Sequence, residues 1–361
     1  MSRPLPTPHN VFWELTRACP QACLHCRVSA GPAADDELDE AQACDVADQL
    51  AAMKPHVVVL TGGEPSRHPA FHAVASRLAA AGVGVRWFTG ASGIGPRQLD
   101  QALAAGITEI AVSLDGPREV HDRLRPVRSL LAGSSYKAAV RLIRAAGQRG
   151  VPLRVVTAAS RANLRHLGTL YETLCDLGVP HWQLHLVQAN GRAREHRDTL
   201  MPEPHQVEAI VAVLLRAARE GRLEAPMHCS VGYLVPEEAA LRYRHLRGAH
   251  VWAGSRAGLG GMAIGAEGEV TGCPCLPPSF AVADVRTRPL AAIWSDDSCF
   301  PYTRQWDPQV LAGRCAGCGL APRCRAGCLG VSFGATGTIG ANPYCLRVTR
   351  GLVGPMVSSG P

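Results

Sequence analysis

Fourteen cysteines in 361 residues are spaced in a way that few folds can use. Three of them, Cys19, Cys23 and Cys26, form a CX3CX2C run near the start. Cys315, Cys318, Cys324 and Cys328 form CX2CX5CX3C near the end, followed by Cys345. Disulfide-dense scaffolds are small secreted domains without a sufficient core, whereas this chain is long and 47% hydrophobic. Its first ten residues, MSRPLPTPHN, have no apolar export segment and read as a short disordered lead-in. Reduced thiols in the cytoplasm are therefore expected, and thiols at such spacings read as metal ligands. A four-iron cube held by protein alone takes four thiolates. Three thiolates leave one iron open for a small molecule, so the asymmetry between the two ends points to a redox enzyme. Zinc is the competing reading for both clusters, since it wants four protein ligands. At the first cluster only His25 is near enough in sequence to be the fourth, and its adjacency to Cys26 gives poor geometry.

Composition narrows the class further. No run of about 18 apolar residues occurs, so no membrane-spanning helix is expected. The net charge of +7 is concentrated at Arg141, Arg144, Arg149, Arg154, Arg161 and Arg165. That run reads as a solvated helix face and loop, or as a surface for an acidic partner. Aromatic residues make up 5% of the chain and do not interleave with the basic run, so nucleic acid is not an expected partner.

From residue 11 to about 190, short apolar runs alternate with helix-period segments. Strands are predicted at Val11–Thr16, Val57–Thr61, Val85–Thr89, Glu109–Leu114, Leu153–Thr157 and Trp182–Val187. Helices are predicted at Leu38–Met53, Phe71–Ala81, Pro96–Ala105, Tyr136–Arg149 and Asn163–Leu177, most of them closed by glycine. This alternation makes an α/β fold with a parallel sheet, and six units suggest a partial (β/α)6 barrel. The cysteine trio then follows the first strand, Gly62-Gly63-Glu64-Pro65 the second, and Ser113 and Asp115 end the fourth. All three sit on the rim where such folds bind ligands. After residue 190 the rhythm breaks. The pattern divides into a barrel over 9–195, a helical bridging region over 196–250 with pieces at Pro204–Arg219 and Pro236–Arg247, and a turn-rich, cysteine-rich region over 251–350. That last region is expected to depend on metal for its stability, and the tail from Leu346 to Pro361 to be loosely ordered.

CPQACLHC followed by a strand-terminal GGEP resembles the radical S-adenosylmethionine (radical SAM) superfamily, and the C-terminal array resembles the SPASM-type auxiliary domain of its peptide- and protein-modifying members. The resemblance spans about residues 10–350. It implies that Cys19, Cys23 and Cys26 hold three irons of a [4Fe–4S] cluster whose fourth iron chelates SAM. One electron into the sulfonium would then yield a 5′-deoxyadenosyl radical that abstracts hydrogen. Gly62, Gly63 and Glu64, followed by Pro65, are implied to receive the methionine amino group, and Ser113 and Arg125, the latter in His121-Asp122-x-x-Arg125, the polar ends of SAM. His25 stands where relatives place an aromatic ring against adenine. One auxiliary cluster is implied at Cys315, Cys318, Cys324 and Cys345. A second would use Cys328, Cys273 and an upstream cysteine, but Ser255 stands at that upstream position. Cys275 is the first substitute, with Cys229 and Cys299 behind it, so one or two auxiliary clusters are expected.

Other residues carry less. Cys44 and Cys175 read as buried small apolar residues in helices. His185 reads as a core or rim histidine or as a substrate contact, with Gln183 on the same strand face, and Asn190-Gly191 as a turn. Among the reactions the resemblance allows, sulfatase-type maturation loses weight, because Pro274 follows Cys273 where that branch has a catalytic aspartate. A maturase forming thioether or carbon–carbon crosslinks in a ribosomal peptide is favoured, with tetrapyrrole side-chain modification as the alternative. A plain electron-transfer protein is disfavoured by GGEP and the open three-thiolate site. The barrel begins by residue 11, so a separate leader-binding protein or the C-terminal surface would hold a leader peptide. An external donor of the flavodoxin or ferredoxin type would supply electrons.

Overall fold

The computed structural model describes residues 7–129, 133–242 and 252–352. The six predicted strands are present: β1 (Asn10–Thr16), β2 (Val57–Gly62), β3 (Gly84–Thr89), β4 (Glu109–Ser113), β5 (Leu153–Ala159) and β6 (His181–Leu186). They pair in parallel in chain order, which βα units with short loops impose. Between them run α1 (Glu40–Met53), α2 (Phe71–Ala80), α3 (Pro96–Ala104), α4 (Arg118–Leu124), α5 (Ser135–Gln148) and α6 (Leu167–Asp176). α1 begins with a reciprocal cap between Asp39 and Gln42, and α5 with Ser134 accepting from the Lys137 N–H. Segment Asn163–His166, expected to be helical, is a tight 3-10 turn, because the Asn163 carboxamide is bonded to the Ser160 backbone instead.

The sheet does not stop at six strands. β7 (Gly261–Ile264) pairs in parallel with β1, and β8 (Glu269–Thr271) and β9 (Ala283–Asp284) continue it antiparallel, giving the order β6-β5-β4-β3-β2-β1-β7-β8-β9. The open edge of the partial barrel is thus covered by the cysteine-rich region. Sequence reading missed these strands, which are only four, three and two residues long. One apolar core runs from Val11 to Leu346.

Helix Glu208–Glu220 fills most of the expected first bridging helix, whereas Glu238–Leu241 realises only part of the second; residues 243–251 lie outside the described residues. The expectation of a loose tail is corrected in part. Leu346–Thr349 is helical and Leu346 is fully buried, since its side chain closes the core under the last cysteine loop. No described helix is long and apolar enough to cross a membrane.

Candidate functional site at the barrel rim

The first cysteine run forms a loop clamped to the rim from two sides. Segment 124–128 bonds it through Leu24 N–H to Leu124 O (2.9 Å), Ala22 N–H to Pro126 O (2.7 Å) and Arg128 N–H to Pro20 O (2.8 Å). Arg128 and Arg192 both donate to the Ala30 carbonyl, at 2.8 and 2.6 Å, and Arg192 also to Cys23 O at 2.8 Å. Neither arginine was singled out from sequence, because nothing local marks a side chain that acts on a loop more than 90 residues away.

The GGEP loop closes the other side by backbone contact. Gly63 N–H donates to Thr16 O (2.6 Å) and Glu64 N–H to Ala18 O (2.8 Å). Gly62 has φ +119°, and a Cβ there would stand 2.4 Å from Thr16 O; at Gly63 it would stand 2.3 Å from Ala18 O. Only glycine lets the cysteine loop lie this close. Glu64 is buried, and both its oxygens are occupied by Trp87 Nε1 (3.0 Å), Ser66 Oγ (2.9 Å), Thr89 Oγ1 (2.5 Å) and Gly90 N (3.3 Å). Burial raises its carboxyl pKa against the pull of those donors.

The His121-Asp122-x-x-Arg125 run does three jobs. His121 Nδ1 accepts the Asp115 N–H at 3.0 Å, fixing the turn after β4. Asp122 accepts from Ser134, Ser135 and the Tyr136 N–H and so anchors the start of α5. Arg125 pairs with Asp115 at 2.5 Å, and its other end lies 4.0 Å from the Cys23 sulfur. Asp115 is fully buried. Burial alone would push its carboxyl up, but Arg125, with His25 and His121, outweighs it and holds the pKa at about 2. The His25 ring faces this pair, with Nε2 3.4 Å from Asp115 Oδ2 and no hydrogen-bond partner. Burial, with Arg125 beside it, lowers His25 to about 4, so the imidazole is neutral. Ser113 is half-buried at the end of β4.

The donor set fits a three-thiolate iron site. Burial pushes the Cys19 and Cys23 thiols up to about 12 and about 11, and the thiols of the trio repel one another's charge. A metal must therefore supply the drive for deprotonation, as thiolate sites require. Arg125 and Arg192 are the cations that would balance the resulting charge. Among the described residues, no three His, Cys, Asp or Glu side chains converge as a single metal ion would need. A cube instead spreads its thiolates over four irons.

Toward the C-terminus, Cys315, Cys318, Cys324 and Cys345 line one small pocket with Tyr233 and Leu234. A second thiol set lies nearer the barrel. Cys273 and Cys275 lie near enough to shift each other's thiol pKa, Cys273 up and Cys275 down, and Cys229 and Cys328 do the same, Cys328 up and Cys229 down. Cys229 had ranked only as a distant substitute, because 44 residues separate it from Cys273 and no motif marks it. Ser255 and Cys299 are occupied elsewhere: Ser255 Oγ accepts the Ala257 N–H at 3.3 Å, and Cys299 faces Arg288 Nη1 at 3.5 Å.

The two cysteine regions meet. Arg27, next to Cys26, pairs with Glu14 and donates to the Pro274 carbonyl between Cys273 and Cys275. Asn190 Nδ2 donates to Cys275 O at 3.0 Å, and a Cβ at Gly191 would meet the Arg27 carbonyl at 2.4 Å. Asn190-Gly191 is thus a bridge between the two loops rather than a simple turn. Beside it opens a cavity of about 650 Å³ lined by Arg17, Arg27, Arg194, Arg197, Glu14 and Glu269, among others. His185 lies off this cavity, against Gln183 at 2.5 Å and with its ring tilted toward that of His228, 5.2 Å between centroids. Arg154, expected on a solvated face, instead shares Glu109 with Arg86 on the sheet, because its strand position turns it away from the helices. Cys44 and Cys175 are only partly buried: each packs against the core from its helix and does not sit within it.

A rim with three thiols, a glycine-packed loop and a buried Asp–Arg pair is what the resemblance to SAM-cleaving radical enzymes implies, and comparison with known proteins agrees. Residues 13–174 match the Radical SAM superfamily. Mycofactocin maturase MftC of Mycobacterium ulcerans is 30% identical over 95% of this chain and 89% of that protein. AdoMet-dependent heme synthase of Methanosarcina barkeri is 26% identical over 94% of this chain and 96% of that protein. Among solved structures, Streptococcus suis SuiB bound to S-adenosylmethionine shares the fold with a TM-score of 0.70 at 13% identity, over 93% of this chain and 76% of that one. The chain belongs to the radical SAM superfamily, and its cofactors are a [4Fe–4S] cluster and S-adenosylmethionine.

Proposed function

We propose that this enzyme modifies a ribosomally made peptide, forming a crosslink at an unactivated carbon. The observation that carries the reading is the cavity between the first cysteine loop and the Cys273–Cys275 loop. Its wall carries four arginines and two glutamates beside an apolar stretch at Leu276, Pro277, Pro278 and Phe333. Such a wall suits an extended chain with its own amides and charges. Similarity to a mycofactocin maturase over most of both chains supports the same reading.

In this proposal Cys19, Cys23 and Cys26 hold the SAM cluster. Gly62, Gly63 and Glu64 of the GGEP loop, with Ser113, Asp115, Arg125 and His25, shape the SAM pocket. When bound, the cluster and SAM supply reductive cleavage of the sulfonium and hydrogen abstraction from substrate. Asp115 holds Arg125 in place, and Arg125 offsets charge at Cys23. Glu64 ties the loop to β3 through Trp87 and Thr89. Arg27 and Asn190 set the distance between the two cysteine loops, and so the width of the cavity. Residues 251–350 form the auxiliary domain, with one cluster at Cys315, Cys318, Cys324 and Cys345. A flavodoxin- or ferredoxin-type donor supplies electrons, and a separate protein presents the leader.

Tetrapyrrole side-chain modification is the second reading. It is favoured by the four cavity arginines, which could pair with propionates, and by similarity to a heme synthase over nearly the whole chain. The two glutamates on the wall, Glu14 and Glu269, weigh against it, since they would repel the propionates.

Anaerobic turnover with SAM and a reductant decides between them. The proposal expects a candidate precursor peptide encoded nearby to lose two hydrogens per crosslink, with 5′-deoxyadenosine formed in proportion. Loss of carboxyl groups from an iron porphyrin, with the peptide unchanged, would replace it by the second reading.

A further inference from the structure

The cavity beside Asn190 carries two glutamates that the protein treats differently. Glu14 is met by Arg27, whereas Oε2 of Glu269 is buried and has no hydrogen-bond partner. We propose that Glu269 is a recognition residue for a basic side chain of the substrate, an ammonium or a guanidinium, which binds at this carboxylate and is not itself modified. The inference rests on the peptide reading of the cavity and adds to it the residue type that the peptide must present.

The fold aims this side chain at the cavity. β7 and β8 form a hairpin whose turn closes with Gly268 N–H on Gly265 O at 3.1 Å and Gly265 N–H on Glu269 O at 2.8 Å. Alternation along β8 sends Val270, fully buried, into the core and turns Glu269 and Thr271 toward the cavity. The carboxyl group lies back over Gly265. A Cβ there would stand 2.0 Å from Glu269 Cδ and 2.2 Å from the unpartnered Oε2. Glycine at position 265 is thus the seat of the carboxylate, and a side chain there would expel it.

The neighbouring cations are already engaged. Arg17 pairs with Glu267 at 3.0 Å, Arg27 with Glu14 and the Pro274 carbonyl, and Arg197 reaches the Ala335 carbonyl at 3.5 Å. Burial raises the Glu269 pKa, and the nearby carboxylates of Glu14 and Glu267 push the same way, against the pull of its own backbone N–H and of Arg17. A buried carboxylate left without a partner is costly, so a cation that arrives with the substrate gains a charge-assisted hydrogen bond there. Leu276, Pro277, Pro278 and Phe333 in the same cavity supply apolar surface for the methylene stem of such a side chain. Glu14 does not serve in its place, because its charge holds Arg27 between the two cysteine loops.

Fluorescence anisotropy of the anaerobically reconstituted holoenzyme with SAM tests this. The probes are labelled mixtures of short peptides built from uncharged residues, with one central position fixed as lysine, arginine or norleucine. The tighter of the lysine and arginine mixtures should bind at least about tenfold more strongly than the norleucine mixture. Glu269→Gln, which keeps the shape of the side chain, should remove that preference at unchanged iron content and thermal unfolding midpoint. Gly265→Ala, which keeps the charge and displaces the carboxylate, should remove it by a second route. Asp48→Asn, which deletes an exposed carboxylate away from the cavity, should leave the preference intact. Equal affinity for the basic and norleucine mixtures, or a preference that survives Glu269→Gln, would overturn the inference and leave the peptide reading standing. Binding of an iron porphyrin with no binding of any peptide mixture would overturn both.

Discussion

The two cysteine regions are held in opposite ways. The N-terminal loop is short, and the protein secures it: backbone bonds from segment 124–128, two arginines on Ala30, and glycine packing at Gly62 and Gly63. The C-terminal thiols sit in a region of short 3-10 turns and helices of four to eight residues, with only nine strand residues among its described residues. In the first region the scaffold positions the ligands and the cluster brings reactivity. In the second the elements are short, and the proposed clusters would tie their thiol-bearing loops to the shared core, much as metal does in small structural domains.

Removing iron gives the largest expected effect. Anaerobic chelation should make residues 308–350 the first sites of limited proteolysis, with cleavage at least tenfold faster than in β1–β6. Equal rates in the two regions would break the comparison. Correspondingly, Cys23→Ala should abolish 5′-deoxyadenosine formation with little change in the thermal unfolding midpoint, whereas Cys324→Ala should lower that midpoint by several degrees.

A smaller but sharp effect lies at Asp115. Replacing it with asparagine leaves Arg125 buried without its partner, which costs about 3–5 kcal/mol and should weaken SAM binding in an equilibrium titration. The pH dependence has a definite sign. The folded pKa is about 2, below the ordinary value of 3.8, so the contribution is complete above about pH 4 and is lost as pH falls toward 2. Acid unfolding of Asp115→Asn should lack that portion of the curve.

Backbone packing comes next. Gly62→Ala meets both a left-handed φ and the Thr16 carbonyl, so roughly 2 kcal/mol or more is expected, with weaker SAM binding. Gly82→Ala also has a positive φ, +76°, but nothing lies within 4 Å of its Cβ. It should cost about 1 kcal/mol and leave SAM binding unchanged. If both variants bind SAM alike, the glycine clamp is not what positions the loop. The smallest effect is expected on the cavity wall, where Arg197→Ala should raise the peptide KM by less than about tenfold at unchanged kcat.

Much of the barrel was legible because its signals are local. Alternating apolar runs closed by glycine marked β1–β6 to within about two residues, and the cysteine, GGEP and Ser113–Asp115 positions followed from strand ends. Other features left no local trace. β7–β9 are too short to show a period, and they form because β1 offers an unpaired parallel edge. Arg128 and Arg192 act on carbonyls about a hundred or more residues away.

By itself, the sequence determined the chemistry this protein can perform, since thiol spacing, strand ends and glycine positions are set by residues adjacent in the chain. Only the tertiary structure decided which thiols share a neighbourhood. Cys229 and Cys328 are 99 residues apart, yet they meet because the β1–β7 pairing folds the C-terminal region back over the barrel mouth. That closure also forms the cavity between the two cysteine loops, through Arg27 and Asn190, whose partners no pattern of neighbouring residues could name.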